Sequence, residues 1–221
     1  MTQKFTILFD LDGTLIDTAP DLIRAHNHVM KKFGYPTKKL GELKNAVGKG
    51  AKAMMAKANG QWKWFDEKIQ NEMTNEFLSY YGENILHESK LINGVKEFLN
   101  WCKKENICMA VCTNKTEHLA VDLLKKIGIY NYFEYVAGYN TFEYCKPDPR
   151  HLTTIIEILD GDINKSIMIG DSETDANAAK AAEIPIILLK YGYTEKKSSE
   201  IYHNHLVKDF VGIEKIVNEY L

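Results

Sequence analysis

Six short apolar runs, rich in β-branched residues, alternate along this chain with longer stretches whose apolar residues recur every three or four positions. The runs are FTILFD (5–10), CMAVCTN (108–114), YVAG (135–138), SIMIGD (166–171), PIILL (185–189) and HLVKD (205–209). Each is short and bounded in the way a strand is. Between them GVKEFLNWCKKEN, TEHLAVDLLKKIG, PRHLTTIIEILDG, TDANAAKAAE and VGIEKIVNEYL carry helical spacing, several closed by Gly or Asn. Strands that alternate with helices require right-handed crossovers, so the expected class is α/β, with a parallel sheet covered on both faces.

The stretch from about 18 to 88 breaks this rhythm, with helical patterns and no convincing buried strand. Thr18-Ala-Pro-Asp21 reads as a capping box with proline in the first turn. It opens the helix APDLIRAHNHVMKKFG, ended by Gly34, and KLGELKNAVGKGAKAMMAKANG and WKWFDEKIQNEMTNEFLSYYGENI follow as further helices. The segment is expected to be a helical cap, residues 18–87, inserted into a core of residues 1–17 and 88–221. Its hinges should lie near Ile16–Thr18 and His87–Leu91. Trp62, Trp64 and Phe65 read as cap core or hinge packing.

In open parallel sheets, ligands bind at the carboxyl ends of the strands. Polar residues gather there in this sequence: Asp10 and Asp12 after the first run, Thr113-Asn114-Lys115 after the second, Lys146 after the third, and Asp171 with Asp175 after the fourth. Asp10 and Asp12 are the demanding pair, because residues i and i+2 of an extended chain point to one side. Their carboxylates repel unless a cation or a shared proton lies between them. A formal net charge of -2 supplies no basic surface for nucleic acid or anionic lipid, and no run of 18 apolar residues is present to span a membrane. A small-molecule partner and a cytoplasmic location are the expectation. Cys102, Cys108, Cys112 and Cys145 lack zinc-site spacing and read as reduced, mostly buried thiols; His26 and His28 read as helix-surface residues.

The order DLDGT, TNK, KPDP and GDSETD resembles the four signature motifs of the haloacid dehalogenase superfamily of aspartate-nucleophile phosphatases. AAKAAEIP, Tyr191-Gly192-Tyr193, DTAPDL and VGKG are most similar to stretches of bacterial phosphoglycolate phosphatases. The resemblance implies a Rossmann-like, doubly wound core with a small helical cap, and hydrolysis of a small phosphorylated metabolite, 2-phosphoglycolate foremost. It implies Asp10 as the nucleophile that forms an aspartyl-phosphate, and Asp12 as the general acid and base. Lys146 would neutralise Asp10 and the phosphoryl group, Thr113 and Asn114 would grip phosphate oxygens, and Gly13 would let the backbone come close. Mg²⁺ would be held by Asp10, Asp171 and the Asp12 main-chain carbonyl, with Asp175 a ligand or the support of one. In the cap, the loop Gly48-Lys49-Gly50 would turn toward substrate; Lys49 is equally read as a substrate contact and as a solvated lysine.

Other readings share some of these residues. A phospho-acceptor receiver module also clusters acids, Thr and Lys on such a sheet, but is shorter and lacks an acid at the position of Asp12. A dehalogenase would also lack that acid and need no metal. A phosphosugar mutase, a pyrophosphatase or a nucleotidase would use the same core motifs. A monomer and a homodimer are both compatible with the sequence.

Overall fold

The computed structural model of the chain describes residues 4–43, 46–47, 50–58, 66–194 and 196–221. The six expected strands are β1 (Thr6–Phe9), β4 (Cys108–Cys112), β5 (Tyr135–Ala137), β6 (Ser166–Gly170), β7 (Ile186–Leu189) and β8 (His205–Val207). They form one sheet in the order β5-β4-β1-β6-β7-β8, parallel throughout. From β1 the chain moves outward to β4 and β5, then crosses back over β1 to build β6, β7 and β8 on the other side. That reversal opens a crevice at the carboxyl end of β1, where Asp10 and Asp12 follow.

A strand buried on both faces reads as a continuous apolar run, and all four residues of β1 are buried. Side-chain alternation sends Ile7 and Phe9 into one layer and Leu8 into the other. On the first side the Phe9 ring meets Phe98 and Phe133 edge-on, with centroids 6.2 and 5.8 Å away. Phe98 belongs to α5 (Val95–Lys104); α6 (Glu117–Ile127) and α9 (Ile213–Val217) pack on the same side. On the second side lie α7 (Arg150–Ile158) and α8 (Glu173–Ala181). Helices on both faces of a doubly wound, Rossmann-like sheet are the fold class expected.

Between the first two strands of the sheet the described residues form helices: α1 (Ala19–Lys32), α2 (Leu40–Leu43), α3 (Ala51–Ala58) and α4 (Glu67–Glu83). Gly34 closes α1 as expected, with Gly34 N–H donating to Lys31 O and Tyr35 N–H to Met30 O. A feature not expected is the antiparallel ribbon of β2 (Ile16–Asp17) and β3 (Lys90–Leu91), which joins the two chain crossings where hinges were sought. Gly48, Lys49, Trp62, Trp64 and Phe65 lie outside the described residues.

Two expectations for α1 are corrected. Thr18 takes the first-cap position without a side-chain cap bond, so there is no capping box. Asp21 instead accepts hydrogen bonds from the main-chain N–H of His87, Glu88 and Ser89 and from Ser89 Oγ, at 2.7–3.1 Å. The acid that looked local ties α1 to the return crossing 66 residues later. His26, expected at the surface, is fully buried; its ring is paired with Asn27 and packed into the cap, while half-exposed His28 stacks on Tyr80. The cysteines are free, three buried and Cys145 partly so, as expected.

Asp21→Ala should lower stability by about 2–4 kcal/mol in urea unfolding at neutral pH, because three main-chain donors and a hydroxyl lose an ionised acceptor. Burial alone would raise the Asp21 carboxyl, but hydrogen bonds from Ser89, His87 and Glu88 outweigh it and hold it below its ordinary value. A depressed folded value means that the stabilisation is complete above the unfolded value, about 4, and is lost as pH falls through the folded one. The difference between wild type and Asp21→Ala should therefore shrink in acid. A constant difference across that range would contradict this account.

Candidate active site

Asp10 continues β1, its N–H donating to Ile169 O at 2.9 Å, which fixes it beside the end of β6. Its carboxylate receives Lys146 Nζ at 2.8 Å, and the same ammonium reaches Asp175 Oδ1 at 2.6 Å. Lys146 is 3% exposed. Burial would drive its proton off, but Asp10 and Asp175 outweigh it, so the ammonium is held well above its ordinary value. The main chain of Lys146 is fixed in turn, its N–H donating to His151 Nδ1 at 3.1 Å. Burial, then the charge of Lys146, pushes His151 down to about 4, which keeps that nitrogen an acceptor.

Asp175 caps its own helix reciprocally with Ser172, its Oδ2 accepting from Ser172 N and Oγ and from Asp171 N. Asp171 is placed by neutral donors, Thr14 Oγ1 at 3.0 Å and Tyr193 N at 2.6 Å. Burial, then the neighbouring charges of Asp10 and Asp175, raise it well above its ordinary value; burial opposed by Lys146 brings Asp10 to about 6. Asp10, Asp171 and Asp175 offer oxygens within 4.8 Å of one another, and among the described residues Lys146 is the one cation paired with any of them. Three buried carboxylates against one ammonium leave negative charge uncompensated. An all-oxygen donor set of that kind fits a hard divalent cation such as Mg²⁺.

Asp12 faces a different cation. Lys115 Nζ donates to both of its oxygens, at 2.9 and 3.1 Å, and stands 4.5 Å from the centre of the Tyr81 ring on α4. The Asp12 carboxylate is thereby engaged by a cation other than the one that serves Asp10. Thr113 Oγ1 accepts from Lys115 N, and Asn114 Nδ2 donates to Lys146 O at 2.8 Å. Hydrogen bonds therefore join the sequence motifs in two linked clusters around Lys146 and Lys115. Lys115 and His151 were missed as site residues: Lys115 stood in the TNK motif without an assigned role, and no local pattern marked His151.

Gly13 has φ +88°, and a Cβ there would lie 2.5 Å from Asp171 Oδ2 and 2.8 Å from the Tyr193 ring. A Cβ on Gly192 would come within 2.3 Å of the Asp171 side chain. Both glycines thus make room for Asp171, a need that the Tyr-Gly-Tyr tripeptide did not disclose. Above the site a cavity of about 390 Å³ lies between the cap helices and the core. Asp12, Asn114 and Lys115 line its floor; Gly50, Met54, Phe77 and Tyr81 line its cap side. Of the expected cap loop, only Gly50 is described.

A doubly wound sheet with two neighbouring acids at its central switch point, each matched to its own lysine, is an α/β architecture with a carboxylate-lined ligand site. Residues 7–189 match the family model for haloacid dehalogenase-like hydrolases, and the chain belongs to that family. Similar curated proteins include the phosphoglycolate phosphatases of Mesorhizobium japonicum and Agrobacterium fabrum. The first is 37% identical over 92% of this chain and 90% of its own. The second is 37% identical over 96% and 94%. A crystal structure described as a predicted phosphoglycolate phosphatase from Haemophilus somnus superposes with a TM-score of 0.91 at 29% identity, covering 98% of this chain and 99% of that one. The chain is therefore a phosphatase of this family, which sets aside the receiver-module reading. Among the described residues no helix is long and apolar enough to cross a membrane.

Gly192→Ala should push Asp171 out of place while leaving the sheet intact. Phosphatase activity is expected to fall about 10–100-fold, the usual cost of disturbing a group that orients a metal ligand. Activity equal to wild type would show that Asp171 tolerates displacement.

Proposed function

We propose that this phosphatase hydrolyses 2-phosphoglycolate to glycolate and phosphate through an aspartyl-phosphate on Asp10. The observation that carries the reading is the separation of the two acids of the first motif: Asp10 lies on Lys146 at 2.8 Å and Asp12 on Lys115 at 2.9 Å. Two carboxylates in different environments can take different roles, as a nucleophile and an acid must. Asp10 attacks phosphorus, and the ester oxygen leaves with a proton from Asp12. Asp12 then takes a proton from the water that attacks the aspartyl-phosphate, releasing phosphate and restoring Asp10.

Lys146 spreads its charge over Asp10 and the transferring group throughout. Thr113, whose oxygen already accepts from the Lys115 N–H, has its hydroxyl proton left for a phosphate oxygen, and Asn114 has a second amide hydrogen to give. Asp10, Asp171 and the Asp12 carbonyl, with Asp175 as ligand or support, would hold Mg²⁺, which would supply further positive charge to the phosphoryl group. Residues 18–87 act as the cap over the core of residues 1–17 and 88–221, excluding water and limiting substrate size. The cavity of about 390 Å³ beneath the cap helices has room for a small phosphoester. The loop Gly48-Lys49-Gly50 belongs to that cap. The names of the 37% identical relatives favour 2-phosphoglycolate over the mutase, pyrophosphatase and nucleotidase alternatives.

Asp10→Asn should abolish phosphate release with the fold retained, and Asp12→Asn should lose roughly 10²–10⁴ in rate while accumulating phosphate on Asp10, read by mass spectrometry. A phosphoryl group on any other residue would overturn the scheme. Chelation with EDTA should silence turnover and added Mg²⁺ restore it; full activity after chelation would remove the metal from the mechanism. Across a panel of phosphorylated metabolites, 2-phosphoglycolate should give the highest kcat/KM, and a better hexose phosphate, nucleotide or pyrophosphate would reassign the substrate.

A further inference from the structure

We propose that Lys115 is the residue by which the enzyme selects substrates carrying a carboxylate beside the phosphate ester, the cation exchanging Asp12 for the substrate's acid; this rests on the reading of Asp10 and Asp12 given above. Lys115 is 8% exposed, lies on the floor of the cavity beneath the cap, and is anchored at the start of α6. Substrate phosphorus at Asp10 puts the ester oxygen at Asp12, so the atoms next along the leaving group meet whatever stands beside Asp12. That neighbour is the Lys115 ammonium, 2.9 and 3.1 Å from the two Asp12 oxygens.

The surroundings of Lys115 are prepared for an anion. Thr116 Oγ1, on the residue that follows it, is buried without a hydrogen-bond partner, and Thr116 lines the cavity. Thr116 is also the N-cap of the 11-residue α6 and makes no side-chain cap bond, so its hydroxyl is free to donate to a ligand at the positive end of that helix. Tyr81, its ring centre 4.5 Å from the ammonium, supplies an apolar wall and a π-face that holds the cation without competing for an anion. Of the other lysines, Lys52 also lines the cavity but is exposed on α3, where solvent screens it. A neutral leaving group offers Lys115 nothing in exchange for Asp12. A carboxylate two atoms from the ester oxygen does.

The test measures kcat/KM for 2-phosphoglycolate, for 2-hydroxyethyl phosphate, in which a neutral hydroxymethyl replaces the carboxylate, and for the larger acidic ester 2-phospholactate. Wild type should favour the acidic esters. Lys115→Gln, whose amide still donates to Asp12, should cut the acidic-to-neutral ratio at least about tenfold, and Lys115→Arg, which keeps the charge, should hold it within about threefold. Equal losses on acidic and neutral esters in Lys115→Gln would overturn the proposal and leave 2-phosphoglycolate as substrate. A wild-type preference for 2-phospholactate over 2-phosphoglycolate, lost in Lys115→Gln, would uphold Lys115 and overturn the assigned substrate. No acidic preference in wild type would overturn both. Should Lys115→Gln fail to fold by circular dichroism, Asp12→Asn/Lys115→Gln removes both buried charges. Dissociation constants for the acidic and neutral esters then give the ratio, and a ratio equal to that of Asp12→Asn alone would overturn the proposal.

Discussion

The Lys146 ammonium, set between Asp10 and Asp175, is the contact on which the site depends. Without it three buried carboxylates would face one another with no cation, and removing one partner of such a pair typically costs about 3–5 kcal/mol. The fold invests several elements in holding that ammonium. The His151 ring on α7 fixes its main chain, Asn114 grips its carbonyl from the end of β4, and Asp175 on α8 aims its tip. Three crossovers of the sheet thus converge on one residue. The same convergence makes Asp175 more useful as an organiser than as a free carboxylate, since both its oxygens already serve protein donors.

How much of this was legible follows from the range of each signal. Strands such as Thr6–Phe9 and Ser166–Gly170 announce themselves because burial on both faces demands an unbroken apolar run. The sheet's polar ends were legible for a related reason: Asp10, Thr113, Lys146 and Asp171 interrupt or follow those runs where a strand must stop. Long-range spending of a side chain leaves no such mark. Thr18 and Asp21 have the spacing of a capping box, yet Asp21 is consumed by N–H groups at 87–89, which a local reading could not foresee. His26 carried a helix-surface pattern and became cap interior. Lys115 is the instructive case: its motif was visible, but its partner Asp12 lies 103 residues away and its aromatic wall comes from the cap.

That last arrangement gives the helices inserted between β1 and β4 a chemical part in the site. Tyr81 belongs to α4, a helix of the insertion, and Lys115 to the core, so the ammonium beside Asp12 is positioned by both. A cation against an aromatic face is worth about 0.5–2 kcal/mol depending on desolvation, small beside its ion pair with a buried carboxylate. Asp12 therefore dominates where Lys115 rests, and Tyr81 adds a smaller apolar contact from the inserted helices.

Tyr193 performs the corresponding task on the side of the three clustered acids. Its N–H donates to Asp171 Oδ2, while its hydroxyl donates to Asp17 and accepts from Ala19 N–H at 3.0 Å. Asp17 ends the short ribbon strand and Ala19 begins α1, so one rigid ring spans from an acid of the triad to the crossing that enters the cap. The return crossing is held independently by Asp21 on His87, Glu88 and Ser89. Both crossings are thus tied to buried polar anchors, and to each other through the ribbon pairs Ile16–Leu91 and Asp17–Lys90. Because Tyr193 holds Asp171 and the entering crossing at once, the position of that acid and the path of the chain into the inserted helices depend on the same short set of hydrogen bonds.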